Sequence, residues 1–422
     1  MSEWKEKTLG ELSIRVSSGL TPLKSNKKFW ENPSIPWLKT DQLGEKYIFD
    51  TNTKISKEAL EQTSLRIYPE NTISIAMYGE GKTRGNISII KAPMTTNQAC
   101  CNIEIDPKLA DVEYVYYYLK TQYDSLRKLS SGVRKNLNSN DIKNYKIYIP
   151  ESVSVQKSII RILTSLDNKI TLNNQINQEL EAMAKTLYDY WFVQFDFPDQ
   201  NGKPYKSSGG KMVYHPELKR EIPEGWGVEK LDDLGTIVGG STPTKSISDN
   251  FTKGGEGYSW ITPNDLSNNK GNKFIKNGEI DVTVRGLKDA SLKLYPEGTV
   301  LMSSRAPVGY LAIATKELTI NQGFKSFIPD KKYEKNYIYY TLQNCLKVIE
   351  QNASGSTFKE ISATVLKDIT IIQPNLDIVK KFEEKVSSIN SYIKVNEEQN
   401  QELTQLRDWL LPMLMNGQVK VE

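Results

Sequence analysis

Ser64-Leu65-Arg66-Ile67-Tyr68-Pro69-Glu70 returns later in the chain as Ser291-Leu292-Lys293-Leu294-Tyr295-Pro296-Glu297. Around this pair the rest of the chain falls into step. Residues 2–195 recur at an offset of about 223 as residues 224–416. Trp4, Leu9 and Leu12 match Trp226, Leu231 and Leu234, and Thr21-Pro22 matches Thr242-Pro243. Trp37 matches Trp260, Asn97-Gln98 matches Asn321-Gln322, Ser131-Gly132 matches Ser354-Gly355, and Pro150 matches Pro374. A solenoid unit runs to roughly 20–50 residues, so a period this long marks a duplicated domain.

Each copy ends in a helical pattern. After Pro150, Leu163, Leu166, Ile170, Asn173, Asn177, Leu180, Ala184, Leu187 and Trp191 alternate spacings of three and four, which is a heptad seam. After Pro374 the same seam holds Val386, Ile389, Ile393, Asn396, Asn400, Leu403, Arg407, Leu410 and Leu414. An asparagine at a seam position costs stability unless it meets a partner, so the pairs Asn173/Asn177 and Asn396/Asn400 favour one register and orientation. The two helices are therefore expected to pair with each other, the alternative being two amphipathic helices each packed on its own domain. Some thirty residues at 1.5 Å each make a rod of roughly 50 Å, about one and a half turns of B-DNA at roughly 34 Å per turn.

The body of each copy reads as mixed α/β. Short runs such as Thr72–Ala76, Asn86–Ile90 and Asn144–Ile149 are strand-like and bounded by Gly, Pro or Asn. Asp111–Leu129 reads as a helix, with Tyr114, Tyr116, Tyr117 and Tyr118 suited to core packing or, as the minor reading, to base stacking. The fold class is thus α+β. Two similar mixed α/β domains stand in tandem, each followed by a long helix, and the helices form an antiparallel coiled coil with pseudo-two-fold symmetry. The boundaries are 1–150, helix 151–195, linker 196–223, 224–374 and helix 375–422. Gln200–Lys211, rich in Gly, Ser and Lys, reads as linker or surface loop.

Composition excludes several functions. With 55 basic and 51 acidic side chains the net charge is only +4, so charge alone does not announce a polyanion partner. No apolar run approaches the roughly 20 residues of a membrane span, and Met1–Glu6 lacks the apolar core of a signal peptide, so a cytoplasmic location is expected. Cys100, Cys101 and Cys345 have neither disulfide nor metal-site spacing. His215 is the single histidine, which disfavours Ser/His or Cys/His catalysis, and no metal site is expected. Ala76–Thr83 matches a relaxed phosphate-loop pattern. A working loop of that kind leads into a helix, whereas Arg84–Ile90 reads as strand, and the second copy has no Gly-Lys-Thr. The reading is a binding protein rather than an enzyme.

This order of features resembles the DNA-specificity subunit of type I restriction-modification enzymes. Pro223-Glu224-Gly225-Trp226 followed by Leu231, and Trp4 followed by Leu9, are similar to the entry of that family's target-recognition domains. Gly240-Ser241-Thr242-Pro243 is similar to its early turn, from which Ser18-Gly19-Leu20-Thr21-Pro22 departs. Ser303–Gly309 resembles another family segment, with Ala76–Gly85 its divergent partner. Tyr188–Phe192 and Leu410–Gly417 resemble the ends of the family's two helices. The resemblance implies sequence-specific reading of a bipartite, gapped double-stranded DNA target through the major groove, with helix length as the ruler. It implies two adenine-N6 methyltransferase subunits and restriction/translocase subunits as partners. AdoMet, ATP and Mg²⁺ would be held by those partners, with no cofactor in this chain.

An arginine on a strand-connecting loop suits a guanine edge or a phosphate. Lys82, Arg84 and, in the second copy, Ser304 and Arg305 are accordingly candidates for DNA contact, with Ser241 and Thr242 of the early turn. Arg134 and Lys135 with Ser356, Thr357 and Lys359 are candidates on a second loop. Their alternative is ordinary solvated loop residues. Asn97-Gln98 and Asn321-Gln322 could meet adenine edges, but presence in both copies favours scaffold hydrogen bonding. The rival readings are a coiled-coil scaffold without DNA recognition and a phosphate-loop NTPase.

Overall fold

The computed structural model describes residues 4–79, 83–129, 136–305, 307–355 and 359–419. The chain divides into two compact units, with breaks at Ile170/Thr171 and Gln401/Glu402. Both breaks fall inside long helices, so each unit holds one domain body and parts of both helices.

In unit 1 a five-stranded sheet runs in the order Ser13–Ser18, Cys100–Ile105, Thr72–Ala76, Ile87–Ile90, Tyr47–Ile48. In unit 2 the order is Thr236–Val238, Ser326–Ile328, Val300–Ser304, Val308–Ala314, Phe274–Ile275. The equivalence extends to direction, since the two-residue edge strand pairs parallel in each: Tyr47 with Ile89, and Phe274 with Ile313. Trp4–Thr8 pairs antiparallel with Lys146–Pro150, and Gly227–Lys230 with Thr370–Gln373, closing each body onto the start of its long helix. Thr72–Ala76 and Ile87–Ile90 are buried at every position, so they read as continuous apolar runs with Ser and Thr inside.

Helix α1 (Val112–Thr121) is capped by Asp111, whose carboxylate accepts from the backbone N–H of Glu113 at 2.9 Å and Tyr114 at 3.1 Å. Its four tyrosines are buried, and they pack with Leu9, Ile73, Ile89 and Leu163. Helix α2 (Val153–Tyr188) passes into a π-helical turn, Asp189–Val193, that turns Trp191 and Phe192 into the unit 2 core. Helix α3 (Lys335–Asn352) is the counterpart of α1, and α4 (Leu376–Met415) that of α2. α2 and α4 start at positions 223 apart, in keeping with the duplication.

Every seam residue named above is buried or half-buried. Within unit 2, Asn173 Nδ2 donates to Asn400 Oδ1 at 2.9 Å and to Gln399 Oε1 at 2.8 Å, and Asn396 Nδ2 donates to Asn177 Oδ1 at 2.9 Å. Each of the four side-chain amides thus makes a bond across the seam, although the buried Asn173 Oδ1 accepts none; an unpaired buried group costs about 1–3 kcal/mol.

The segment 196–223 differs from a bare linker. Met212–His215 and Arg220–Pro223 form an antiparallel hairpin. Tyr205 stacks on Phe197 with ring centroids 4.6 Å apart, and Phe197 stacks on Trp226 at 5.0 Å. Three aromatic rings hold the segment onto the unit 2 core, which a composition rich in Gly, Ser and Lys conceals. Among the described residues no helix is long and apolar enough to cross a membrane, and no His, Cys, Asp and Glu cluster has the makings of a metal site.

Candidate nucleic-acid interface

At one end of each five-stranded sheet, where its central strand finishes, three loop segments converge through the same backbone bonds. In unit 1 the Leu137 N–H donates to the Met77 carbonyl at 3.1 Å, and the Met77 N–H to the Ala99 carbonyl at 2.8 Å. In unit 2 the Ile361 N–H donates to the Ser304 carbonyl at 3.1 Å, and the Ser304 N–H to the Gly323 carbonyl at 2.8 Å. These bonds join the strand-connecting loop, the loop after α1 or α3, and the segment after the Asn-Gln pair.

The early turn packs beside the Asn-Gln pair in both copies. The indole N–H of Trp37 donates to the Leu20 carbonyl, and that of Trp260 to the Ser241 carbonyl, each at 3.1 Å. A Cβ at Gly19 would lie 2.3 Å from the Thr96 carbonyl oxygen, and one at Gly240 1.7 Å from that of Ile320. Only glycine permits that approach. Asn97 Oδ1 accepts from the Ala99 N–H at 3.1 Å and Asn321 Oδ1 from the Gly323 N–H at 2.8 Å, so both asparagines bind their own backbone. Thr242 donates its hydroxyl to Gln322 Oε1. Beside it lies a cleft of about 550 Å³ lined by Thr242, Lys245, Trp260, Asn264, Asn321 and Gln322.

In the unit 2 loop, Ser303 Oγ donates to the Pro307 carbonyl and accepts from the Tyr310 N–H, each at 2.8 Å, which fixes the bend. Arg305 lies antiparallel to Glu360, its Nη1 3.8 Å from Glu360 Oε2, and both side chains are about two-fifths exposed (36% and 43%). An ion pair this exposed contributes about 0–1 kcal/mol, so a phosphate or guanine can displace the carboxylate at little cost. Lys359 is exposed next to it. In unit 1 the Arg84 carbonyl accepts from Arg127 Nη1 at 3.4 Å, and Arg84 is half-buried.

The structure therefore brings Arg305, Lys359, Ser241, Thr242 and Asn321-Gln322 to one end of the unit 2 sheet. Ser304 needs correcting as a contact residue, because its side chain is fully buried at the end of its strand and has no surface to offer. Lys82, Arg134, Lys135, Ser356 and Thr357 lie outside the described residues. Lys24, Lys27 and Lys28, exposed just after Thr21-Pro22, and Lys245 at the matching place in unit 2 are further exposed cations beside the early turn that the sequence reading did not single out; in the first copy their signal is the Lys-rich run itself. Directly after the phosphate-loop look-alike comes the strand Ile87–Ile90, not a helix.

The family model "Type I restriction modification DNA specificity domain" matches residues 1–182 and 223–405. Among curated proteins, the type I restriction enzyme MjaIX specificity subunit of Methanocaldococcus jannaschii is 29% identical, covering 100% of this chain and 94% of its own length. The HindI specificity subunit of Haemophilus influenzae is 25% identical over 99% of this chain and all of its own. In fold, the crystal structure of a type I S subunit from M. genitalium superposes with a TM-score of 0.55 at 15% identity, over 98% of this chain and 96% of that one. The chain belongs to the family of type I restriction-modification DNA specificity domains, carries that domain twice, and serves as a non-catalytic DNA-specificity subunit.

Proposed function

We propose that each domain, residues 1–150 and 224–374, reads one half of a bipartite gapped DNA target with the three-loop end of its sheet. The observation that carries this reading is the twice-built end: identical backbone bonds support loops whose side chains differ. In the second half-site Arg305 and Lys359 make the base or phosphate contacts. In the first, Arg84 does so with Lys82, Arg134 and Lys135. α2 and α4, with residues 151–195 and 375–422, pair as an antiparallel coiled coil of pseudo-two-fold symmetry and set the gap between half-sites. The buried seams and the Asn173–Asn400 and Asn177–Asn396 bonds support that pairing.

Two methyltransferase subunits engage this chain and place a methyl group on an adenine N6 in each half-site, with AdoMet in those subunits. Restriction/translocase subunits bring ATP and Mg²⁺, and the assembly works in the cytoplasm. Leu172, Ile176 and Met183 of α2 leave an exposed apolar stripe in unit 2, a surface suited to such a subunit.

The test is co-expression with a type I methyltransferase subunit of the same genome and single-molecule mapping of N6-methyladenine on plasmid DNA. Methylation at one gapped bipartite sequence is expected. A stable complex that methylates nothing and shows no salt-sensitive DNA retention would point instead to a scaffold.

A further inference from the structure

Each domain sends one lysine from its sheet edge into the helices, and the two lysines are equivalent. Lys46 follows Gly44 by two residues, and Lys273 follows Gly271 by two. Lys46 Nζ donates to the Tyr117 hydroxyl at 2.8 Å, and Lys273 Nζ donates to the equivalent Tyr340 hydroxyl. The countercharges, however, are placed differently. In unit 1 Lys46 meets Glu113 at 3.0 Å and Asp167 at 3.7 Å, both from its own half of the chain. Asp167 also takes Arg407 of α4, at 2.9 Å. In unit 2 Lys273 meets Glu181 of α2 at 2.9 Å, a carboxylate from the other half, and Asn390 of α4 at 3.0 Å.

The 223-residue offset shows what each half lacks. Asn390 stands where Asp167 does, Ala184 where Arg407 does, and Thr404 where Glu181 does. Suppose the C-terminal half paired with itself. Glu181 would become Thr404, removing the carboxylate that the Lys273 ammonium touches and leaving only Glu397, which holds the Lys273 backbone N–H, and Ala184 would become Arg407. Ala184 has no exposed surface and sits among Tyr188, Tyr340 and Phe382, so a guanidinium there is both overpacked and unpaired. Suppose instead the N-terminal half paired with itself. Arg407 would become Ala184 and Thr404 would become Glu181, leaving three carboxylates around Lys46 and no second cation.

We infer that these charges form a heterotypic lock: the partner that fits the helix of either half is the helix of the other half, and neither half pairs stably with itself. Two placed charges and one small residue suffice to make the choice, since wrong pairing leaves charges buried without partners. If the chain reads DNA as proposed, the two half-sites are then always read by unlike domains.

The full-length chain can carry both wrong pairings without being cut. Glu181→Thr with Ala184→Arg installs in unit 2 the contacts of a self-paired C-terminal half. Thr404→Glu with Arg407→Ala installs in unit 1 those of a self-paired N-terminal half. Each double variant is expected to lower the Tm of the intact chain by about 5 °C or more, or to cost soluble protein. Packing loss alone would not respond to charge repair, so the second measurement is rescue. Asn390→Asp should recover much of the loss caused by Ala184→Arg, and Asp167→Asn much of that caused by Arg407→Ala. Wild-type Tm in either double variant, or loss with no rescue in either repaired pair, overturns the lock. Because no DNA enters these measurements, they can fail while the methylation map succeeds, and the reverse.

Discussion

Lys46 and Lys273 hold the same place in two copies of one domain, yet one sits in a half-open ion cluster and the other is sealed. The Lys46 side chain is 14% exposed, meets two carboxylates and shares one of them, Asp167, with Arg407. That of Lys273 is 3% exposed, with its ammonium 4.0 Å from the Tyr340 ring centre and 4.4 Å from that of Tyr339. Burial pushes the Lys273 ammonium down to about 8, against the pull of Glu181. Burial likewise pushes Glu397 and Glu383 up to about 7, even though Glu397 accepts the backbone N–H groups of Lys273 and Phe274. In unit 1, burial raises Glu113 too, but the Tyr47 hydroxyl and Lys46 outweigh it and hold the carboxyl below its usual value. Duplication has kept the geometry of the anchor while the solvation of its charges diverged.

The sharpest break of this comparison is removal of each lysine. Lys273→Ala leaves Glu181 and Glu397 without their cation and should destabilise unit 2 by about 3–5 kcal/mol. Lys46→Ala, in the more open cluster, should cost clearly less, and urea titrations of the two variants decide whether the order holds. A smaller effect is expected at the reading end. Arg305→Ala should weaken recognition of one half-site by about 1–3 kcal/mol, with the other half-site unchanged in the methylation map. Equal loss at both would contradict the assignment of one domain to each half. Lys359→Ala should weaken DNA binding almost uniformly across sequences and shallow its salt dependence by about one phosphate contact.

The pH dependence should separate the units most gently. Between the ordinary carboxylate value and about 7, folded unit 2 keeps protons on Glu383 and Glu397 that the unfolded chain releases. Its stability is therefore fullest at low pH and falls as pH rises through 7. Lys273 works the other way above about 8, where the unfolded chain still holds the proton that the folded one gives up. Unit 1 has the opposite acid response, because lowered Glu113 supports folding when ionised and withdraws that support as pH falls. Proteolysis at pH 5.5 and 7.5 should find unit 2 more resistant at the lower pH, and Glu383→Gln with Glu397→Gln should flatten the difference.

Much of this was legible in the sequence, because duplication displays what is scaffold. The seam, its asparagines, the paired strands and the tyrosines of α1 all follow from spacing and residue type. Burial of a lysine does not, since Gly44-Glu45-Lys46 and Lys270-Gly271-Asn272-Lys273 are short polar stretches and only the tertiary fold lays Tyr117 or Tyr340 beside them. Ser304 was misplaced for the same reason: its strand is buried on both faces, so alternation gives no warning. The hairpin within 196–223 depends on Phe197, Tyr205 and Trp226 stacking across a span where three aromatics are sparse.

The bonds that stitch the three loops together, Leu137 to Met77 and Ile361 to Ser304, use main-chain atoms only. Such a joint is indifferent to the side chains on either side of it. Loop sequences can therefore be rewritten, residue by residue or by wholesale exchange, with no toll on the joint that holds them. A protein built this way can acquire a new target without first relearning how to fold.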